Sequence, residues 1–246
     1  MLKGFLFLLI GLFSSSCMAE FKTRALLIAS SEAVLSSQIS GKIIETRAEL
    51  GQRFKKNATL IRFDCKVQEA TLDKVNAELQ AARITFKSHQ KLRELGSISH
   101  LEFALADAEV KKAQAELDAI SAKIKMCTIR APFSGRVVER KVNAHESVSQ
   151  GDELLDVIDD SQLLVTLFAP STWLKWLEKD LEFIVTISET GQKYKAKVDR
   201  IGSRVHPVSQ TIAVRGVLID AKDQLIAGMS GQAVFNKSSD TKTLDE

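Results

Sequence analysis

One short β pattern occurs twice in this chain, with a long helical stretch between the copies, and that arrangement limits the folds open to it. Ser40-Gly41-Lys42-Ile43-Ile44-Glu45 aligns with Ser134-Gly135-Arg136-Val137-Val138-Glu139. The alignment continues without a gap at a constant offset of 94 residues: Phe54 over Val148, Leu60 over Leu154, Ile61 over Leu155 and Phe63 over Val157. Both copies alternate apolar and polar residues, the two-residue period of half-buried strands. The residues between them carry a helical period instead. A small β domain is thus split at its middle by an inserted rod, which fits a bridge or spacer better than a catalyst.

From Asp64 to Lys125 the sequence holds one glycine, Gly96, and no proline. Alanine, leucine, glutamate, glutamine and lysine dominate, all strong helix formers. Gly96-Ser97 interrupts the run, and Ser97 or Ser99 is placed to cap a second helix. On the first helix Leu72, Val75, Leu79, Ala82 and Phe86 step by three and four; on the second Phe103, Ala106, Val110, Ala113, Leu117, Ile120 and Ile124 do the same. In an antiparallel hairpin turning at Gly96, facing residues have numbers summing to about 192, so Leu72 faces Ile120, Val75 faces Leu117 and Leu79 faces Ala113. Two readings stand at this point. The hairpin is a stalk that holds a domain away, or it is a docking rod whose tip enters a partner.

The N-terminus reads as a targeting segment. Lys3 precedes a ten-residue apolar run, Gly4 to Phe13, too short to span a bilayer. Small residues at Cys17 and Ala19 place a signal-peptide cut after Ala19. The rivals are an uncleaved N-terminal anchor and lipid attachment at Cys17. No later segment reaches the apolar length of a transmembrane helix. Net charge is only +3 and the basic residues form no stripe with interleaved aromatics, so nucleic acid is not expected as a partner. One tyrosine and two tryptophans are too few for a large sugar-binding surface.

The flank Ile129-Arg130-Ala131-Pro132-Phe133-Ser134-Gly135 closes the rod, because Pro132 ends helical structure and disfavours it at Ala131. Turns are expected at Gly151-Asp152 and, in the first copy, at Asn57-Ala58. After Asp160 the pattern changes to a strand over 163–168, a short amphipathic helix over Pro170 to Asp180, and strands near 183–188, 193–201, 211–219 and 232–235. Short strands with one short helix predict a small closed barrel. The polar tail reads as disordered.

The paired half-motifs, the Ile129–Gly135 flank and Leu225-Ile226-Ala227-Gly228-Met229 together resemble the periplasmic adaptor family, also called membrane fusion proteins, over about residues 30 to 236. The resemblance implies an α+β fold: a lipoyl-like, barrel-sandwich hybrid β domain in two halves (20–63 and 128–160), an α-helical coiled-coil hairpin (64–127) and a β-barrel domain (161–236), between a signal peptide (1–19) and a disordered tail (237–246). It implies a non-enzymatic adaptor in the periplasm, associated with the inner membrane. Its partners would be an inner-membrane transporter, of the resistance-nodulation-division type, and an outer-membrane channel, with the adaptor itself forming a ring. An adaptor of an ATP-driven exporter or type I secretion system is the alternative. Ala227 stands where the family commonly has proline, and the family's membrane-proximal domain is expected to be absent or much reduced. The family's hairpin tip often carries an arginine, a leucine four residues on and a serine seven further; here those positions are Ser88, Leu92 and Ser99, around Gly96. The segment Leu101 to Ala108, Leu105 within it, also resembles the family's second helix, and together these imply channel docking there. The plainer reading makes Leu92 a seam residue and Ser99 only a cap.

A carrier domain with a lipoyl or biotinyl lysine is the reading from another class. The rod occupies the turn where such a lysine would sit, so no cofactor is expected. His89, His100, His145 and His206 are scattered without metal-ligand spacing, and His89 and His100 are expected to be solvated. No Gly-x-Ser-x-Gly elbow is present. Once a signal peptide is removed, Cys65 and Cys127 are the remaining cysteines; their numbers sum to 192 like the seam pairs, which predicts a disulfide at the base of the rod.

Overall fold

The computed structural model describes residues 20–219 and 225–236. The expected signal peptide, with its cut after Ala19 and the rival lipid site at Cys17, lies outside the described residues, as does the expected tail 237–246. The chain divides into two compact units, residues 29–161 and the described parts of 1–28 and 162–246.

In the first unit the 94-residue repeat is visible strand by strand. β2 (Gly41–Thr46), β3 (Arg53–Phe54) and β4 (Thr59–Phe63) recur as β6 (Gly135–Arg140), β7 (Ser147–Val148) and the start of β8 (Glu153–Pro170). The copies exchange partners: β2 pairs with β7, and β6 pairs with β3. Loop hydrogen bonds follow the same exchange. Ile43 N–H donates to Glu146 O at 2.8 Å and Val137 N–H to Gln52 O at 3.1 Å. Within each copy one bond recurs, from Arg47 N–H to Leu60 O and from Lys141 N–H to Leu154 O. Ser134 Oγ accepts from Lys56 N–H, and Ser40 Oγ from Gln150 N–H. Both copies also bulge at the same place, around Ile44 and Val138, where the ladder register shifts. The core is built from equivalent positions, with Ile43, Leu60, Ile61 and Phe63 meeting Val137, Leu154, Leu155 and Val157, all buried.

Between the copies run two long helices, α1 (Lys66–Glu94) and α2 (His100–Lys125), and β5 (Thr128–Arg130) returns to pair with β4. Val75, Leu79, Ala106 and Ala113 are buried along the seam, while Leu72, Phe86, Phe103, Leu117 and Ile120 are half-buried. The helices run antiparallel: Phe86 packs at a tilt against Phe103, with centroids 5.2 Å apart, and Arg83 donates to Gln114 at 2.8 Å.

The second unit contains β1 (Glu20–Ser36), the end of β8, β9 (Glu182–Ile187), β10 (Lys193–Val205), β11 (Thr211–Leu218) and β12 (Ser230–Asn236). Among the described residues these six strands run in the order β1-β12-β9-β10-β11-β8, and pairing of β1 with β8 closes the ring. Thr23 Oγ1 donates to Phe168 O across that closure at 2.8 Å. Leu225 to Met229 lead into β12, and Leu27 is bound on both sides there, its carbonyl accepting from Gly228 N–H and its N–H donating to Met229 O. Leu27, Val165, Val185, Val198 and Phe235 fill the interior, with Trp173 and Trp176 packed against Phe235.

Three expectations change. Residues 20–28, expected in the lipoyl-like half, belong to the second unit, where Glu20 to Leu26 pair with β12, Glu20 opposite Asn236 through Leu26 opposite Ser230. No glycine or proline interrupts residues 20–36, so a single strand gives Ala25 and Leu27 to the barrel core and Ala33 and Leu35 to the split domain. For the same reason the expected break after Asp160 is absent, and β8 runs on to Pro170. The helix expected over Pro170 to Asp180 is a 3-10 turn, Ser171–Lys175. Trp173 O accepts from both Trp176 and Leu177, and Asp180 is drawn away in a left-handed conformation (φ 63°), its N–H donating to Val198 O.

Candidate functional site

The far end of the hairpin is a short turn capped on both sides. α1 ends in a Schellman motif: Ser97 N–H donates to Leu92 O at 2.8 Å and Gly96 N–H to Arg93 O at 3.0 Å. Gly96 takes the left-handed conformation this motif demands, with φ 67°. α2 begins with a capping box. Ser99 Oγ accepts from Glu102 N–H at 3.1 Å, and Glu102 Oε2 accepts from Ser99 N–H at 3.0 Å. These bonds, first that from the Ser99 amide and then that from its hydroxyl, hold the Glu102 carboxyl below the ordinary glutamate range, helped by the charge of His89.

Around this rigid turn large apolar side chains face outward. Leu92 is 38% exposed, Leu95 76%, Leu101 68% and Leu105 60%. Leu101 and Leu105 are one helical turn apart and share a face of α2. Ser88 is exposed, one turn before Leu92 on α1. Ser88 and Leu92 thus lie on one face, Gly96 forms the turn itself, and Ser99 turns its hydroxyl to Glu102. Leu101 and Leu105 fall in the segment that resembles the family's second helix, and only Leu95 goes unmarked in the sequence, its one signal being a leucine out of phase with the seam. His89, expected to be solvated, is half-buried with a buried Nδ1 that has no hydrogen-bond partner, because position 89 continues the step 75, 79, 82, 86 of the seam. Arg93 lies over the Phe103 ring, 4.3 Å from its centroid.

The other end of the hairpin is tied to the β core. Cys65, the N-cap of α1, and Cys127, just past the end of α2, form a disulfide with Cα atoms 6.2 Å apart. Both are buried in the core of the split domain, and Cys127 O accepts from Phe63 N–H, so the bridge sits where β4 and β5 hand over to the helices. Among the described residues no cluster of three or more histidine, cysteine, aspartate or glutamate side chains could hold a metal, and no helix is long and apolar enough to cross a membrane.

Comparison with known proteins matches this architecture. The family described as "CzcB-like, barrel-sandwich hybrid domain" matches residues 31–159. An uncharacterized protein of Haemophilus influenzae is 26% identical over 200 residues, 80% of this chain and 52% of its own. The antibiotic efflux pump periplasmic linker protein ArpA of Pseudomonas putida is 26% identical over 147 residues, 59% of this chain and 40% of its own. Among solved structures, a MacA-MexA chimera containing the Pseudomonas aeruginosa MexA α-hairpin domain superposes with a TM-score of 0.80 at 19% identity, over 89% of this chain and 81% of the other. The split, duplicated β domain places the chain in the CzcB-like barrel-sandwich hybrid family, and it is a membrane fusion protein. The chain spans about half the length of the curated relatives it matches.

Proposed function

We propose that this chain is a non-enzymatic periplasmic adaptor that links an inner-membrane transporter, of the resistance-nodulation-division type, to an outer-membrane channel in a tripartite efflux assembly. The observation that carries this reading is the hairpin tip, a doubly capped turn with Leu92, Leu95, Leu101 and Leu105 facing outward. Four exposed leucines within two turns of one capped tip supply anchors that a partner's groove can bury. Burying one leucine contributes about 1.5–3 kcal/mol, so a few anchors outweigh much of the cost of association. Ser88, Leu92, Gly96 and Ser99 form the docking tip, and the two helices act as a coiled-coil lever that joins it to the split domain. The linker relative from Pseudomonas putida supports an efflux role. Copies of the chain ring the channel, and its work is coupling and sealing.

The test is export in cells carrying Leu92→Asp or Ser99→Arg. A charge forced into an apolar docking groove costs on the order of several kcal/mol, so both variants lose export at unchanged protein level and helicity. Normal export by both overturns docking and leaves the hairpin a spacer. The transporter type is read from the energy source. Export that survives collapse of the proton gradient but stops on ATP depletion overturns the resistance-nodulation-division assignment.

A further inference from the structure

The geometry of the turn points to a division of labour that rests on the docking reading above: we propose that Ser99 and Glu102 are positioning residues, bonded to each other, and that recognition is left to the leucines they orient. A serine hydroxyl has one proton to give. Here it is donated to Glu102 Oε2 at 2.8 Å, while the same oxygen accepts from Glu102 N–H. Glu102 Oε2 takes the Ser99 N–H as well. The Ser99 hydroxyl proton is therefore already committed inside the turn.

What the box holds in place is specific. Leu95 is the C-cap of α1, and Leu101 is the second residue of α2, so both stand within a residue or two of the connection. Their direction depends on how residues 95–99 are fixed. The Schellman bonds fix the α1 side and the Ser99–Glu102 box fixes the α2 side. Leu92 and Leu105 sit inside the helices and need no such help. Removing Glu102 is expected to disorient Leu101 while leaving Leu92 and Leu105 in place.

The experiment compares Ser99→Ala, Ser99→Asn, Glu102→Ala and Glu102→Gln in the full chain, with Leu92→Asp and Ser99→Arg as controls. Export and backbone hydrogen exchange across residues 97–104 are measured together. Asparagine caps as well as serine, and glutamine closes the box as glutamate does. The alanine variants speed exchange at the tip roughly fivefold, the loss of one ordinary cap, and lower export at unchanged protein level. Ser99→Asn and Glu102→Gln stay near wild type in both. Loss of export in Ser99→Asn with exchange unchanged overturns the proposal, because Ser99 then meets the partner directly. Unchanged exchange in both alanine variants overturns it too, because the box then positions nothing. Normal export in both Leu92→Asp and Ser99→Arg overturns the docking reading itself, and this proposal with it.

Discussion

Gly51 and His145, 94 residues apart, take the same left-handed backbone conformation, with φ of 75° and 70°. Each donates its N–H to the other copy, Gly51 to Val137 O at 2.9 Å and His145 to Ile43 O at 2.8 Å. The turn geometry is therefore a property of the duplicated fold, and the two copies meet its demand with different residues. A side chain held in this region costs about 1–2 kcal/mol. Glycine escapes that cost but gives back roughly 0.5–1 kcal/mol through its freer unfolded chain.

From this follows an asymmetric pair of outcomes. His145→Gly raises stability by about 0.5–1 kcal/mol, and Gly51→Ala lowers it by about 1 kcal/mol. A Cβ at position 51 meets nothing within 4 Å, so the loss is one of backbone conformation alone. Urea unfolding midpoints measure both. A Gly51→Ala chain as stable as wild type would remove the conformational argument.

The duplication was readable because it is carried by local pattern. Ile43 and Val137, Leu60 and Leu154, and Phe63 and Val157 show the strand period in each copy, and their burial follows from it. The two helices were readable for the same reason, through steps of three and four. The course of β1 was not. Its first residues look like any edge strand, and only pairing with β12, some 200 residues on, puts Glu20–Leu26 in the barrel. Closure by Thr23 on Phe168 is likewise a contact across 145 residues that no window of sequence contains. At the tip the Ser99-x-x-Glu102 spacing is a capping-box signature, yet the reading from sequence left Ser97 and Ser99 open as caps. Leu95 escaped because a seam pattern reports what is buried and is silent on what is left uncovered.

Cys65 and Cys127 close a loop across 62 residues at the base of the hairpin. Such a bridge removes about 4 kcal/mol of loop entropy from the unfolded chain. The double variant Cys65→Ala, Cys127→Ala is expected to melt several degrees lower, with faster hydrogen exchange in the first turn of α1 and the last turn of α2 and none of that change at the tip. Thiol labelling of unfolded, unreduced protein is expected to find no free thiol at these positions. Two labelled thiols per chain would rule the bridge out in solution.

Glu102 ties tip geometry to pH. Its folded pKa lies below the ordinary glutamate value of 4.5, chiefly because the Ser99 N–H and hydroxyl bond to the carboxylate. A depressed carboxylate contributes stability above its unfolded pKa and loses it as pH falls through the folded value. Wild type and Glu102→Gln are therefore expected to converge in acid: any advantage of the carboxylate at pH 7, read as slower amide exchange at Ser99, starts to fade below the ordinary glutamate range and is gone once pH has fallen through the lowered folded value. An advantage that persists unchanged at pH 3 would show that the charge plays no part in the cap.

Gly41 and Gly135 open the two copies of the same motif, yet their surroundings differ. A Cβ on Gly135 would fall 1.9 Å from Ile158 O and 2.9 Å from the carbonyl carbon, whereas one on Gly41 would meet only Phe63 Cδ1, at an ordinary 3.7 Å. The obstacle at 135 is backbone in the paired strand β8, with Arg136 opposite Ile158 in register, so it cannot turn aside as a side chain would. Gly135→Ala must push β6 off β8 and is expected to cost about 3 kcal/mol or more, the upper end of overpacking. Gly41→Ala is expected to be neutral to slightly stabilising, because alanine limits the unfolded chain and nothing in the fold resists it. Thermal melts of the two single variants decide the matter. Equal losses would mean that the copies are equally tight and that the close approach of β6 to β8 is not what keeps glycine at position 135.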